Sequence, residues 1–127
     1  MTTVAFLGLG AIGTPMARHL AAPEFTLAVW NRTSGKADAF GAEFGSRVAT
    51  SPADAAKGAA VVITCLPTSK EVEALLDGPD GLLATMTRGT VLVDCTSGDP
   101  ASSQRIAKRL QEHGIGFLDA PDRKSVV

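Results

Sequence analysis

Short apolar runs alternate with longer amphipathic segments along the 127 residues of the chain. The runs are rich in Val, Ile, Leu and Phe, which indicates β-strands. The predicted strands cover residues 4–7, 25–30, a short stretch around Val48, 60–65, 90–94 and 116–119. The first strand is almost wholly apolar, as is typical of a strand that is buried on both faces of a parallel sheet. The alternation of strands and helices therefore predicts repeated βαβ units around one parallel sheet.

Capping signals mark where the intervening helices begin and end. Ser51, Thr68 and Asp99 each precede a helical pattern, and their side chains are suited to accept the first free N–H groups of a helix. Gly114 follows the last helical pattern, where a glycine commonly ends a helix in left-handed geometry. These elements predict a single-domain α/β fold, a doubly wound Rossmann-type sheet with strand order 3-2-1-4-5-6. We expect the domain to cover residues 1–121 and residues 122–127 to form a polar tail.

Composition narrows the class of protein. With 45% hydrophobic residues, 20% charged residues and a net charge of −1, the chain has the composition of a globular protein and lacks the basic surface that binds nucleic acid. No apolar run approaches the ~20 residues that span a bilayer, and the N-terminus lacks the pattern of a signal peptide. We therefore expect a cytoplasmic protein with no nucleic-acid or membrane partner.

The cysteines and histidines do not suggest a metal or disulfide site. Cys65 and Cys95 each lie within or just after an apolar run, where a reduced thiol packs as a small hydrophobic side chain. His19 and His113 fall in predicted helices, and their spacing forms no ligand cluster with the cysteines. We predict that the chain binds no metal.

A glycine-rich turn follows the first strand and opens the first helix. Gly8, Gly10 and Gly13 form a G-x-G-x-x-G pattern there. In a dinucleotide-binding loop the first glycine permits the tight turn, the second lets the backbone approach a pyrophosphate, and the third lets the helix pack against the strand. The helix N-terminus then presents N–H groups to the phosphates. The pattern predicts a dinucleotide site, and the alternative is a glycine-rich connection without a ligand.

The residues after the second strand indicate which dinucleotide is bound. An NAD enzyme places Asp or Glu at this strand end to bind the ribose 2′-hydroxyl, but this chain has Asn31, Arg32 and Thr33. A guanidinium binds a 2′-phosphate through charge-assisted hydrogen bonds, and the two neutral neighbours can add donors. The sequence therefore favours NADP(H) over NAD(H). The alternative is a solvated surface turn with an incidental arginine.

The ends of the fourth and fifth strands should also line the crevice, because ligands bind beyond the carboxyl ends of such sheets. Leu66 and Pro67 could pack against the nicotinamide ribose, and Thr96 could donate a hydrogen bond to it or to a substrate. Thr96 and Ser97 could equally serve only to cap the next helix. For Asp94 we favour a structural role, in which its side chain accepts backbone N–H groups of the turn.

These motifs together resemble the N-terminal domain of the β-hydroxyacid dehydrogenase family, which includes 3-hydroxyisobutyrate dehydrogenase and is related to 6-phosphogluconate dehydrogenase. The resembling stretches are VAFLGLGAIGTPMARHL, NRT, SPADAA, CLPT, DCTSGDP and FLDAP, in family order. The resemblance implies hydride transfer between NADP(H) and a small β-hydroxyacid or semialdehyde. The positions that match the family's cofactor-binding residues are Gly8, Gly10, Ala11, Ile12, Gly13, Asn31, Arg32, Thr33, Leu66, Pro67 and Thr96.

The chain also departs from this family. After Pro121 the family continues V-S-G-G, whereas this chain has Asp-Arg-Lys-Ser, and the downstream segment with the family's catalytic lysine has no counterpart. We therefore identify no catalytic residue and expect a truncated NADP-binding domain that is inactive alone. Its small-molecule substrate would bind only to a complete protein. The alternative is a free-standing NADP-binding or sensing module that acts through a partner, and a short active reductase that uses Thr96 or Ser97 is a third hypothesis.

The sixth predicted strand lies at an edge of the predicted sheet. An uncovered edge strand exposes unpaired backbone groups, which can pair with another chain. We therefore predict self-association through this edge.

Overall fold

The structure, a computed structural model, describes residues 2–96 and 98–120. Within these residues the chain forms six strands, five α-helices and one turn of 3₁₀ helix at Leu82–Ala84. The strands are β1 Thr2–Leu7, β2 Phe25–Trp30, β3 Arg47–Val48, β4 Val61–Thr64, β5 Val91–Asp94 and β6 Gly116–Asp119. The helices are α1 Gly13–Leu20, α2 Ser34–Phe44, α3 Pro52–Ala56, α4 Ser69–Ala74 and α5 Pro100–Glu112. The tail at 122–127 and Pro121 lie outside the described residues.

The strands form one parallel sheet in the order β3-β2-β1-β4-β5-β6, which confirms the predicted topology. The chain builds outward from β1 through β2 to β3, and then crosses back to β4 on the other side of β1. The turns that leave β1 and β4 therefore diverge to opposite faces of the sheet. A crevice opens between such turns at the carboxyl edge, and ligands bind there in sheets of this kind.

Both faces of the sheet are covered, and the alternation along β1 shows how. Ala5 and Leu7 belong to an apolar core with α3, α4 and α5, whereas Val4 and Phe6 belong to a second core with α1 and α2. All four side chains are at most 3% exposed. Because every residue of β1 from Val4 onward contacts one core or the other, the strand is apolar without a polar alternate position.

The predicted helix caps are confirmed. The Ser51 hydroxyl accepts the Asp54 N–H at 3.0 Å, and the Thr68 hydroxyl accepts the Glu71 N–H at 3.3 Å. Asp99 caps α5 in the same way, and Gly114 ends that helix with a φ of +71°. Helices α1 and α2 differ, because their N-cap residues Ile12 and Thr33 make no side-chain cap bond. Side-chain caps therefore mark the start of three of the five helices.

The helix after β4 is shorter than its apolar pattern predicts. Leu75 and Leu76 continue the spacing of Val72, yet α4 ends at Ala74. The carbonyls of Leu75 and Leu76 instead accept the N–H groups of Leu82 and Leu83. The chain therefore turns back on itself here, and Leu76 is still fully buried.

Strand β6 occupies one edge of the sheet, and its Leu118 side chain is 56% exposed. Self-association through this edge stays a prediction. In the part of the chain that the structure describes, no helix has the length and apolar character that crossing a membrane requires.

Candidate functional site

A cavity of about 630 Å³ opens at the carboxyl edge of the sheet, between the ends of β1, β2 and β4. This volume lies in the range of pockets that hold small molecules and cofactors. Ten of the eleven residues selected from the sequence line it: Gly8, Gly10, Ala11, Ile12, Gly13, Asn31, Arg32, Thr33, Leu66 and Pro67. The eleventh, Thr96, does not. The folded chain thus brings together residues that are up to 59 positions apart, from Gly8 to Pro67.

Two glycines of the turn after β1 are required by the protein itself. Gly8 has a φ of +108°, and a Cβ atom there would lie 2.1 Å from the Cys65 carbonyl oxygen. A Cβ at Gly13 would lie 2.0 Å from the Gly8 carbonyl oxygen. The backbones of the turn, of α1 and of the end of β4 therefore touch directly, which only glycine allows at these two positions.

Gly10 is different, because a Cβ there would meet no protein atom within 4 Å. The first turn of α1 carries no acidic side chain, and Ile12 at its N-cap is apolar and 48% exposed. The first N–H groups of a helix have no partner within the helix, and they attract anions. The open space beside Gly10 and the uncapped helix end together fit a pyrophosphate.

Asn31 joins the end of β2 to the glycine turn. Its Oδ1 accepts the Leu9 N–H at 2.8 Å, and its Nδ2 donates to the Thr33 carbonyl at 3.0 Å. One amide side chain thus holds two neighbouring turns in fixed relation, which is possible because an amide is both donor and acceptor. From the sequence, Asn31 was predicted only as a donor to the ligand, and its positioning role becomes visible in the fold.

Cationic side chains lie along the rim of the cavity that follows β2. The Arg32 side chain is 82% exposed, and its Nη1 lies 3.3 Å from Oε1 of Glu71 on α4. Thr33 precedes α2 without capping it through its side chain. Lys36, in the first turn of α2, also lines the cavity. Lys36 and Glu71 were not predicted from the sequence, although the place of Lys36 in the first turn of the helix that follows Arg32 was a signal for it.

The opposite side of the crevice is built from side chains that bind one another. Asp94 is 1% exposed, and its Oδ1 accepts both the Thr64 hydroxyl and the Thr96 N–H at 3.0 Å. The Thr96 oxygen accepts the Leu66 N–H at 2.9 Å, and Thr96 is 2% exposed. The structural role predicted for Asp94 is confirmed. Thr96 holds the turn after β4 in place, and Ser97 lies outside the described residues.

The chemistry that the cavity can perform follows from its titratable groups. Among the described residues these are Arg32, Lys36, Cys65 and Glu71. His19 lies on α1 and His113 ends α5, and neither lines the cavity. Over residues 2–96 and 98–120, no cluster of three His, Cys, Asp or Glu side chains could hold a metal ion. The arrangement is suited to binding an anionic ligand.

A doubly wound parallel sheet with a glycine turn, an open helix end and a cavity at its topological switch point defines a dinucleotide-binding domain. The family described as the NAD binding domain of 6-phosphogluconate dehydrogenase matches residues 3–122, and the chain belongs to this family. The resemblance to the hydroxyacid dehydrogenases is therefore confirmed, and the chain is an NAD(P)-binding domain of the kind found in 3-hydroxyisobutyrate dehydrogenase-like oxidoreductases.

The chain matches only part of the length of its relatives. It is 40% identical over 121 residues to an NAD-dependent L-serine dehydrogenase of Pseudomonas aeruginosa, covering 95% of this chain and 40% of that protein. Among solved structures it matches 3-hydroxyisobutyrate dehydrogenase of Mycobacterium tuberculosis with L-serine at a TM-score of 0.85 and 32% identity, covering 95% of this chain and 40% of that one. An imine reductase of Myxococcus stipitatus with NADP+ matches at a TM-score of 0.80 and 27% identity, over 91% and 39%. The chain thus spans about two fifths of the length of these relatives.

Proposed function

We propose that the chain binds NADP(H) in preference to NAD(H), as the cofactor-binding part of a 3-hydroxyisobutyrate dehydrogenase-like oxidoreductase. The observation that carries the proposal is the rim after β2, where Arg32 and Lys36 line the cavity and the strand end offers no carboxylate. A 2′-phosphate needs cationic donors at this place, whereas a free 2′-hydroxyl is normally bound by Asp or Glu. Thr33 also lines the cavity, and its hydroxyl would be a further donor.

The other parts of the dinucleotide have matching places in the cavity. The pyrophosphate would lie beside Gly10, against the backbone of Ala11 and Ile12 at the open end of α1. Leu66 and Pro67 would form an apolar wall for the nicotinamide ribose. For Thr96, which is buried and does not line the cavity, only the O–H hydrogen remains to donate to the cofactor or a substrate, because its oxygen accepts the Leu66 N–H.

The reaction that we propose for a complete protein is hydride transfer between NADP(H) and a small β-hydroxyacid or semialdehyde. The bound cofactor supplies or accepts the hydride, and an acid or base must move a proton at the substrate oxygen. Glu71 is the carboxylate among the described residues of the cavity wall, and it is paired with Arg32. We therefore assign cofactor binding, and not turnover, to the residues of this chain.

The relatives named above include proteins that use either nicotinamide cofactor, so the proposed preference depends on Arg32 and Lys36 at the cavity rim. The Pseudomonas dehydrogenase is NAD-dependent by name, and the Myxococcus reductase is complexed with NADP+. The chain resembles both. A direct comparison of the two cofactors on the same chain is therefore needed.

Replacing Arg32 with Ala tests the proposal. Trp30 lines the cavity, so its fluorescence can follow titrations of the purified chain with NADPH and NADH. We expect Arg32→Ala to weaken NADPH binding by ~1.5–3 kcal/mol, the usual worth of a hydrogen bond to a charged group, and to leave NADH binding nearly unchanged.

Arg18→Ala is the matched control for this variant, because Arg18 is an exposed arginine on α1 that does not line the cavity. It removes the same charge and should change neither affinity by more than about twofold, as expected for an exposed, screened charge outside the cavity. Equal losses of NADPH and NADH binding in Arg32→Ala would contradict the proposed preference.

A further inference from the structure

A carboxylate lies in the cavity that we propose to hold phosphates, although both groups are anions and repel each other. Glu71 lines the cavity, and its Oε1 lies 3.3 Å from Nη1 of Arg32. Its backbone is held by the cap of α4, because its N–H donates to the Thr68 hydroxyl. The carboxylate is therefore attached to a fixed element of the opposite half of the sheet, 39 residues away from Arg32 in the chain.

The Arg32–Glu71 pair bridges the mouth of the crevice. Arg32 belongs to the turn after β2, and Glu71 belongs to the helix after β4, so the pair connects the two sides between which a ligand would enter. The proposed 2′-phosphate and the Glu71 carboxylate are both anions that bind a guanidinium. Both can therefore bind the same guanidinium.

We propose that Glu71 is a specificity-determining residue that weakens binding of 2′-phosphorylated dinucleotides by competing for Arg32 and by repelling the phosphate. This inference rests on the proposed function. A phosphomonoester carries about 1.5 to 2 negative charges at neutral pH, so a carboxylate within reach of the same guanidinium opposes its binding. NAD(H) has no 2′-phosphate, and Glu71 has no comparable effect on it.

Glu71 could instead help the phosphate by holding Arg32 in place, since a guanidinium has five donors and can bind two anions. The geometry favours competition. A single contact of 3.3 Å joins the two side chains, and the arginine is 82% exposed, so the pair restrains the guanidinium only weakly. The repulsion between the carboxylate and a phosphate does not depend on that restraint and acts whenever both are present.

The test is Glu71→Gln, which removes the charge and keeps the size of the side chain. Glu73→Gln is the matched control, because Glu73 lies on the same helix, pairs with Arg105 and does not line the cavity. We expect Glu71→Gln to tighten NADPH binding by about three- to tenfold, the scale of one surface ion pair plus one screened repulsion, and to change NADH binding by less than about twofold. Glu73→Gln should leave the ratio of the two dissociation constants as it is in the wild-type chain.

The Arg32→Ala background separates the two effects of Glu71. If competition for the guanidinium contributes, Glu71→Gln gains less NADPH affinity in Arg32→Ala than in the wild-type chain. An unchanged or lowered NADPH preference in Glu71→Gln, with the wild-type chain preferring NADPH, would overturn this inference and leave the proposed function standing. A wild-type chain that binds both cofactors equally would contradict the proposed function. In that case the inference would survive only if Glu71→Gln created a preference for NADPH.

Discussion

The turns after β1 and after β5 leave the same edge of the sheet, but the helices that follow them differ in how their N-termini are capped. Helix α1 begins without a side-chain cap, behind the open space at Gly10 and the apolar Ile12. Helix α5 begins at Asp99, whose two oxygens accept the N–H and the hydroxyl of Ser102 at 2.6 and 3.0 Å. The first turn of α5 is therefore bonded to a carboxylate of the protein, whereas no side chain caps the first turn of α1, where the Thr14 N–H donates to the Gly10 carbonyl.

This difference distinguishes a binding turn from a structural turn within one repeated motif. In the β5 region the polar side chains also bind inward, since Asp94 holds Thr96 and Thr96 holds the Leu66 N–H. In the β1 region the Leu9 N–H donates to Asn31 of a neighbouring turn, and the Leu9 carbonyl accepts the Thr14 hydroxyl. A Cβ atom at Gly10, by contrast, would meet no protein atom within 4 Å. A helix N-terminus without a side-chain cap, preceded by a turn that a neighbouring side chain holds in place, therefore indicates a ligand site more strongly than a glycine pattern does alone.

The largest expected effect is the loss of folding stability in Gly8→Ala. The substitution combines a φ of +108° with a Cβ 2.1 Å from the Cys65 carbonyl oxygen. Strain of this kind costs about 1–3 kcal/mol, and the clash with backbone adds to it, so we expect a loss of about 3 kcal/mol or more. Urea unfolding followed by circular dichroism would measure the loss as a lower midpoint.

Gly10→Ala is the contrasting variant, because its Cβ meets no protein atom within 4 Å. We expect its stability to stay within about 1 kcal/mol of the wild-type chain, and both NADPH and NADH to bind about tenfold more weakly or worse, the scale of one lost hydrogen bond to a charged group. The pyrophosphate is common to both cofactors, so their ratio should not change. Full binding by Gly10→Ala would show that the space is not used by a ligand.

A smaller loss is expected for Thr96→Val in the other region. Valine keeps the shape of the side chain but leaves the Leu66 N–H without its acceptor. A buried donor that loses its partner costs about 1–3 kcal/mol, and the free energy of unfolding should fall by that amount. Thr96→Ser retains the hydroxyl and should lose only about 1 kcal/mol, from the missing methyl group. Equal stabilities of the wild-type chain and Thr96→Val would show that the turn after β4 does not depend on Thr96.

These two regions also show what the sequence can and cannot predict. The strands, the caps and the position of the glycine turn follow from local patterns, because periodicity and capping act within a few residues. The strand order follows from the alternation of strands and helices through the rule for doubly wound sheets. The bond from Leu9 to Asn31 and the pair of Arg32 with Glu71 join residues 22 and 39 positions apart, and no local pattern encodes them. The role of Thr96 could not be predicted for the same reason, because whether its hydroxyl binds a ligand or the Leu66 N–H depends on how two turns meet.

The smallest expected effect concerns the carboxylate that closes the end of α5. The N–H and then the hydroxyl of Ser102 hold the pKa of Asp99 below its ordinary value of 3.8, against an opposing contribution from desolvation. Because the folded-state pKa is the lower one, Asp99 stabilises the fold above its unfolded-state pKa, and this contribution is lost as the pH falls through the folded-state pKa.

Asp99→Asn isolates this contribution, because asparagine also caps helices but does not titrate. Urea midpoints of the two chains should differ in favour of the wild-type chain at neutral pH, and the difference should shrink as the pH falls below about 4. Asp54 and Asp77 also have lowered pKa values, but they are present in both chains and do not affect the difference. A difference that stayed constant with pH would mean that the charge of Asp99 does not stabilise the end of α5. The contrast with the open end of α1 would then rest on geometry alone.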